Sequence, residues 1–216
     1  MFNSLLSSVL QSTLETIYMV AISGMLSILG GLPLGVLLLI TASGRELSNP
    51  RLHHALSLMI DICRAIPFII LLVILIPVTR FLVGTSIGTN AAIVPLCIGA
   101  IPFVARIVEN ALKAVDTGLI EAGHAMGTTT FQLIYKILIP EARAAIIRGI
   151  TITLIGLVGY SAMAGAVGGG GLGSLAINEG YQRFNFPVLL ATVMVLILFV
   201  YAIQWVGDWL AKKWEH

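Results

Sequence analysis

The sequence predicts an all-α integral membrane protein: five transmembrane helices, with an amphipathic helix-turn-helix segment between the third and the fourth. Three observations predict it. Of 216 residues, 58% are hydrophobic and only 10% charged, against about 25% charged in an ordinary soluble domain, and the mean hydropathy is +1.01. Five apolar stretches approach or exceed the ~20 residues that a helix needs to cross the hydrocarbon layer. Between two of them lies Asp116 to Pro140, DTGLIEAGHAMGTTTFQLIYKILIP, which keeps helical periodicity but carries polar residues that suit a docking surface better than a span.

The first span covers about 13–41 and is free of charge between Thr16 and Ile40. Gly24, Gly30, Gly31 and Gly35 let neighbouring helix backbones approach closely. A polar link, 42–54, carries Arg45, Glu46, Arg51, two histidines and an Asn49-Pro50 turn signal. The second span, about 55–79, contains Asp61 and Arg64 three residues apart and hence on one helix face. A charged pair inside a membrane helix is a functional candidate; its place within the first turns favours helix-end structure at headgroup level. Pro67 then breaks or kinks the helix. FLVGTSIGTN, after Arg80, reads as a short external loop. The third span, about 90–112, contains Pro95 and Pro102 and runs from an apolar half into a wetter one bearing Arg106, Glu109 and Lys113.

The fourth span, about 142–167, is entered through Arg143 and Arg148, and no charge follows as far as Asn178. Its core, GITITLIGLVGYSAMAGAVGGGGLG, is dense in the small residues found where membrane helices meet each other. Gly168 to Gly171 make no phosphate loop, since no strand precedes them and no GKS or GKT follows. A polar loop, Ser174 to Asn185, leads to the fifth span, about 186–210. Trp205, Trp209 and Trp214 with Lys212 and Lys213 form an aromatic and basic anchor at one interface.

Placing the C-terminus in the cytoplasm gathers Arg45, Arg51, Lys113, Lys136, Arg143, Lys212 and Lys213 inside and leaves Arg80 and Arg183 outside, as the positive-inside rule requires. Five spans then put the N-terminus outside and make 116–140 a cytoplasmic loop. The start, MFNSLLSSVLQSTLE, lacks the basic region and cleavage pattern of a secretory signal, so the first apolar segment is expected to stay in the mature protein. A net charge of +2 with scattered basic residues argues against nucleic acid as a partner. Cys63 and Cys97 lie in apolar stretches and read as small buried thiols. No catalytic or metal site is legible.

Within 116–140, Asp116 or Thr117 can cap a first helix, with Glu121 near its positive end. Gly127 supplies the permissive position that ends it. Thr129 and Gln132 have capping-box spacing for a second helix, in which Phe131, Ile134, Ile137 and Leu138 recur at helical intervals and which Pro140 closes.

Glu121-Ala122-Gly123, then Gly127, then Ile137-Leu138-Ile139-Pro140 resembles the EAA loop of permease subunits in binding-protein-dependent ABC importers: EAA, three residues, G, nine residues, I-x-L-P. Gly123 stands where that family usually has Ala, and Ile139 where it usually has Leu, which predicts a slightly looser first helix. The stretches RAIPFIILLVILIP, VGTSIG, AAIVPL, PFVARIVENAL, TGLIEAGHAMG and LVGYSAMAGAVGGGGLG extend the resemblance along nearly the whole chain to the methionine-importer permeases. The resemblance implies a homodimer in the bacterial inner membrane, set on two cytoplasmic ABC ATPase subunits that bind ATP and Mg, and served by an extracytoplasmic methionine-binding protein. It implies no cofactor on this chain, and an ATPase-coupling interface at Glu121, Ala122, Gly123, Met126, Gly127, Ile137 and Pro140.

For Glu121, helix capping alone is an equal alternative. Tyr160, Ser161 and Met163 are candidates for the translocation pathway, with Met163 near an apolar gate, although Met also fills ordinary packing gaps. The loop says little about cargo, so a permease for another amino acid or small nutrient stays open. An ion-coupled secondary transporter needs an acid or histidine near mid-membrane, whereas the acids here cluster at segment ends. A channel has only GTSIGT as a filter candidate.

Overall fold

The computed structural model describes residues 2–42 and 48–215; Arg45 and Glu46 of the first link lie outside the described residues. Every regular element among them is helical. Helix α1, Phe2–Thr41, starts well before residue 13 and carries Pro33 in its interior. Its buried hydroxyls are satisfied by their own helix: Ser23 Oγ donates to the Met19 carbonyl and Ser27 Oγ to that of Ser23, both at 2.6 Å. That i−4 bond lets a hydroxyl sit among apolar neighbours. α1 lies against α5, Thr89–Lys113, which stays one helix through Pro95 and Pro102. A Cβ on Gly35 would stand 2.6 Å from the Ala105 carbonyl oxygen, so only glycine permits this approach.

The second span is broken. α2, Pro50–Ala65, is capped by Asn49, whose Oδ1 accepts from Leu52 N at 3.2 Å, so the end of the expected polar link, from Pro50 to His54, is already helix. α2 stops at Ile66, which is extended with ψ 123°, as a residue before proline prefers to be. α3, Phe68–Ile74, leaves at 104° to α2, and α4, Ile76–Val83, follows after Leu75. The remaining long helices are α9, Arg143–Ala166, and α11, Phe186–Lys212. Four helices (in α1 from Leu5, then α5, α9 and α11) are long and apolar enough to cross a membrane, and the bent pair α2 and α3 makes a fifth span if taken together. Between α5 and α9 lie the short α6, Thr117–Ala125, α7, Thr130–Leu133, and α8, Ile139–Glu141.

Ser174 to Asn185 is not the expected loop. α10, Gly171–Ser174, continues into a π-helical stretch, Leu175–Tyr181, and the chain turns only at Phe184, φ 55°. The cause lies on another helix. Glu15 Oε2 accepts from Gly171 N and Thr16 Oγ1 from Leu172 N, both at 2.8 Å, so α1 caps a helix 156 residues away.

The apolar interior falls into three clusters. Met19, Leu96 and Leu157 centre one; Leu39, Val108, Leu112, Ile120, Leu133 and Leu138 centre the second; Leu38, Ile60 and Ala105 form a small third. The outward side of α11, including Leu198, Tyr201, Trp205 and Trp209, is exposed, the apolar exterior of a chain whose solvent is lipid. Trp214 lies under Arg143, whose guanidinium is 4.3 Å from the ring centre, and Glu215 pairs with Arg148, tying the aromatic and basic tail back to α9. Gly35→Ala should cost about 1–3 kcal/mol through overpacking against α5, read as a lower melting temperature in detergent. An unchanged melting temperature would show that α1 can move away freely.

Candidate functional site

The segment between α5 and α9 is built from caps. Asp116 starts α6, its Oδ1 accepting from Gly118 N at 2.8 Å. Glu121 sits beyond that first turn with its side chain exposed, so capping is the work of Asp116 and not of Glu121. α6 ends in a Schellman turn: Gly127 N donates to the His124 carbonyl at 2.9 Å and Thr128 N to that of Gly123 at 3.2 Å, with Gly127 at φ 73°. α7 opens on a complete capping box, Gln132 N to Thr129 Oγ1 at 3.3 Å and Thr129 N to Gln132 Oε1 at 3.0 Å.

Pro140 does not close this second helix. A π-helical turn, Ile134–Leu138, precedes it, α8 carries it, and the chain bends at Ala142, ψ −1°, into α9. The widened turn takes up the misfit of a ring that lacks an N–H and crowds the carbonyl four residues back. Gly123 does not loosen α6 either. A Cβ there would meet Ile137 Cδ1 at 2.8 Å and Leu133 Cδ1 at 3.0 Å, so the glycine brings α6 down onto the second helix.

The segment therefore has two faces. Ile120, Leu133 and Leu138 are buried with side chains of α5 and α9, Gly123 is buried between the two short helices, and Ile137 and Pro140 are half-buried beside them. Glu121, Ala122, Met126 and Gly127 are exposed on the other side. Phe131 and Tyr135 join them there at 75% and 65% exposure, their rings stacked at 6.1 Å. These two aromatics are candidates for the bare face that the sequence reading assigned to packing or passed over. Their i, i+4 spacing is the signal that could have found them.

Tyr160, Ser161 and Met163 do not share one surface. Ser161 is buried and donates to the Val158 carbonyl at 2.8 Å, which leaves it inside its own helix's bonding. Tyr160 is half-buried and stacks on Phe68 at 4.5 Å and 11°. Met163 is 47% exposed, one turn along from Tyr160 and on its side of α9.

The charged residues of the spans are also rearranged. Asp61 is held chiefly by Arg106, Nη2 to Oδ2 at 2.7 Å and Nε to Oδ1 at 3.3 Å. Arg64 stands 3.7 Å off and lies over the Phe103 ring at 4.9 Å. Spacing on one helix could not show a partner on another. Glu109 is fully buried, not in a wet stretch, and takes 2.6 Å bonds from both Arg106 Nη1 and Lys113 Nζ. A buried acid between two cations satisfies the rule that buried charge is paired.

A family model described as binding-protein-dependent transport system inner membrane component matches residues 31–216. The chain belongs to that family. This inner-membrane component is a multi-pass protein of the inner membrane. It is 51% identical over 207 residues to the probable D-methionine transport system permease protein MetI of Vibrio cholerae, covering 96% of this chain and 92% of that one. It is 45% identical over 203 residues to the methionine import system permease protein MetP of Bacillus subtilis, with 94% and 91% covered. Two crystal forms of the MetNI methionine ABC transporter in inward-facing conformations resemble it closely. One has a TM-score of 0.98 at 47% identity over 100% of both chains, the other 0.92 at 50% over 94% of each.

In this inner-membrane component, Thr129→Ala should cost about 1 kcal/mol at the start of α7. Amide exchange over 130–133 should then quicken about fivefold, with α9 unaffected. Equal exchange in the two proteins would show that the α7 box contributes nothing.

Proposed function

We propose that this chain is the permease subunit of an ATP-driven methionine importer. Similarity at 47% identity across the whole length of a MetNI chain carries the reading. The segment 116–140 adds to it, with one face packed into the core and the other bare. Two copies of the permease form the pathway, two cytoplasmic ATPase subunits bind ATP and Mg, and an extracytoplasmic binding protein delivers methionine. The positive-inside bias puts the C-terminus and the segment 116–140 in the cytoplasm and the N-terminus outside.

In this reading the bare face, Glu121, Ala122, Met126, Phe131 and Tyr135, seats in a cleft of the ATPase. Gly123 and Ile137 hold the two short helices together beneath it, Pro140 lies where the second leads on towards α9, and Gly127 makes the turn between them. Closure of the ATPase pair moves this rigid element, and α5 and α9, joined to it through Val108, Leu112 and Ile146, move with it. Met163 of α9 is placed near the gate.

A proton- or sodium-coupled carrier is the reading that buried Glu109 could favour. Its two cationic partners and its place in the last turns of α5 make it a poor site for ion exchange.

Reconstitution with the ATPase, the binding protein and labelled methionine tests the proposal: uptake should require ATP. Uptake driven by an ion gradient without the ATPase would overturn it, and ATP-dependent uptake of another amino acid in place of methionine would correct the cargo. Gly127→Asp should insert normally yet lose uptake and transport-coupled hydrolysis, because φ 73° strains any side chain there. Normal uptake by that variant would remove the lever role of the turn.

A further inference from the structure

We propose that the Asp61–Arg106 ion pair is a positioning joint, passing movement of α5 to α2 and, through the Pro67 elbow, to α9. The proposal rests on the import reading above. α5 has two working faces in its last turns. Val104, Val108, Leu112 and the following Val115 share one cluster with Ile120, Leu133 and Leu138 of the segment 116–140, so displacement of that segment displaces α5. Arg106, Glu109 and Lys113 stand on the other face, and Arg106 reaches α2.

Among the described residues, few contacts hold α2 to the rest of the chain. Ile60 packs with Leu38 and Ala105 in the small third cluster, and His53 Nδ1 lies 3.0 Å from the Leu38 carbonyl oxygen. Arg106 supplies the directional contact: two nitrogens on the Asp61 carboxylate and a longer bond from Nη2 to the Ser57 carbonyl at 3.4 Å. Its third nitrogen is held by Glu109 at 2.6 Å, and Lys113 grips the other Glu109 oxygen at 2.6 Å. The guanidinium is thereby fixed on both sides.

An ion pair is a poor choice for stability alone, since desolvation offsets much of the attraction and well-packed apolar side chains stabilise as well. A fork of two bonds of fixed direction resists sliding, which an apolar contact does not. At the far end of α2 the chain turns through Ile66 and Pro67, α3 leaves at 104°, and Phe68, its first residue, stacks on Tyr160 of α9 at 4.5 Å. Tyr160 stands one turn from Met163. The contacts thus form a second line from the segment 116–140 to the proposed gate helix, beside the direct packing through Ile146.

The test uses the full complex with binding protein and labelled methionine, read as methionine imported per ATP hydrolysed. Asp61→Asn keeps the shape and removes the charge; it should leave basal hydrolysis unchanged and lower import per ATP about tenfold, within the range of allosteric coupling. Phe68→Leu, which alters no charge, should lower the same ratio. The double variant should be no worse than the worse single, since both break one line. A wild-type ratio in Asp61→Asn, or losses that multiply in the double variant, would overturn the joint. If Asp61→Asn does not assemble, a wild-type ratio in Phe68→Leu overturns it. A wild-type complex without ATP-dependent uptake would instead overturn the import reading, and the joint with it.

Discussion

Of the four long helices, α5 is the most enclosed. Gly31 and Gly35 of α1 admit it on one side, Gly149 of α9 receives Ile107 on another, and the inner face of 116–140 closes on Val108 and Leu112. Lipid offers no water to drive helices together, so their association depends on close approach and on dispersion between matched surfaces. Small residues on the neighbours of α5 make that approach possible. The two prolines within it do not interrupt the helix, as neighbouring helices make such breaks in the backbone bonding tolerable within a membrane.

Enclosure also explains why α5 can carry charge. Arg106, Glu109 and Lys113 lie within two turns of one another, and Asp61 arrives from α2 to complete the set. Glu109 left without either cation would be an uncompensated buried charge, which costs several kcal/mol. The cluster lies between the helix that packs against 116–140 and the helix that leads to the Pro67 elbow.

The segment 116–140 achieves rigidity by local means. Asp116, the Schellman turn at Gly127 and the Thr129–Gln132 box satisfy the free backbone groups of two helices too short to be stable alone. Its inner side chains then fasten it to α5 and α9. What remains outside is a surface of Met126, Phe131 and Tyr135 with Glu121 and Ala122, flexible and aromatic groups suited to a protein partner. The segment is thereby stiff within itself and bare on one side.

The all-helical membrane fold, the break at Pro67 and the turn at Gly127 were legible in the sequence, because hydropathy, proline and glycine act on their own few residues. Most caps of 116–140 were legible for the same reason. Four features were decided only by tertiary structure. Asp61 found Arg106 on α5 in place of Arg64 on its own helix. Glu109, which spacing placed in a wet stretch, was closed over by its neighbours. Glu15 and Thr16 capped a helix where composition indicated a loop, and Pro140 was absorbed by a widened turn where local rules ended the helix. In each case the deciding group was remote in sequence or was a packed neighbour that made a locally unfavourable geometry acceptable. Sequence by itself determined which segments are apolar enough to cross a membrane and that the second breaks at Pro67; the partners of the polar groups inside were settled by packing, since a charge in lipid takes the partner that the fold brings within reach.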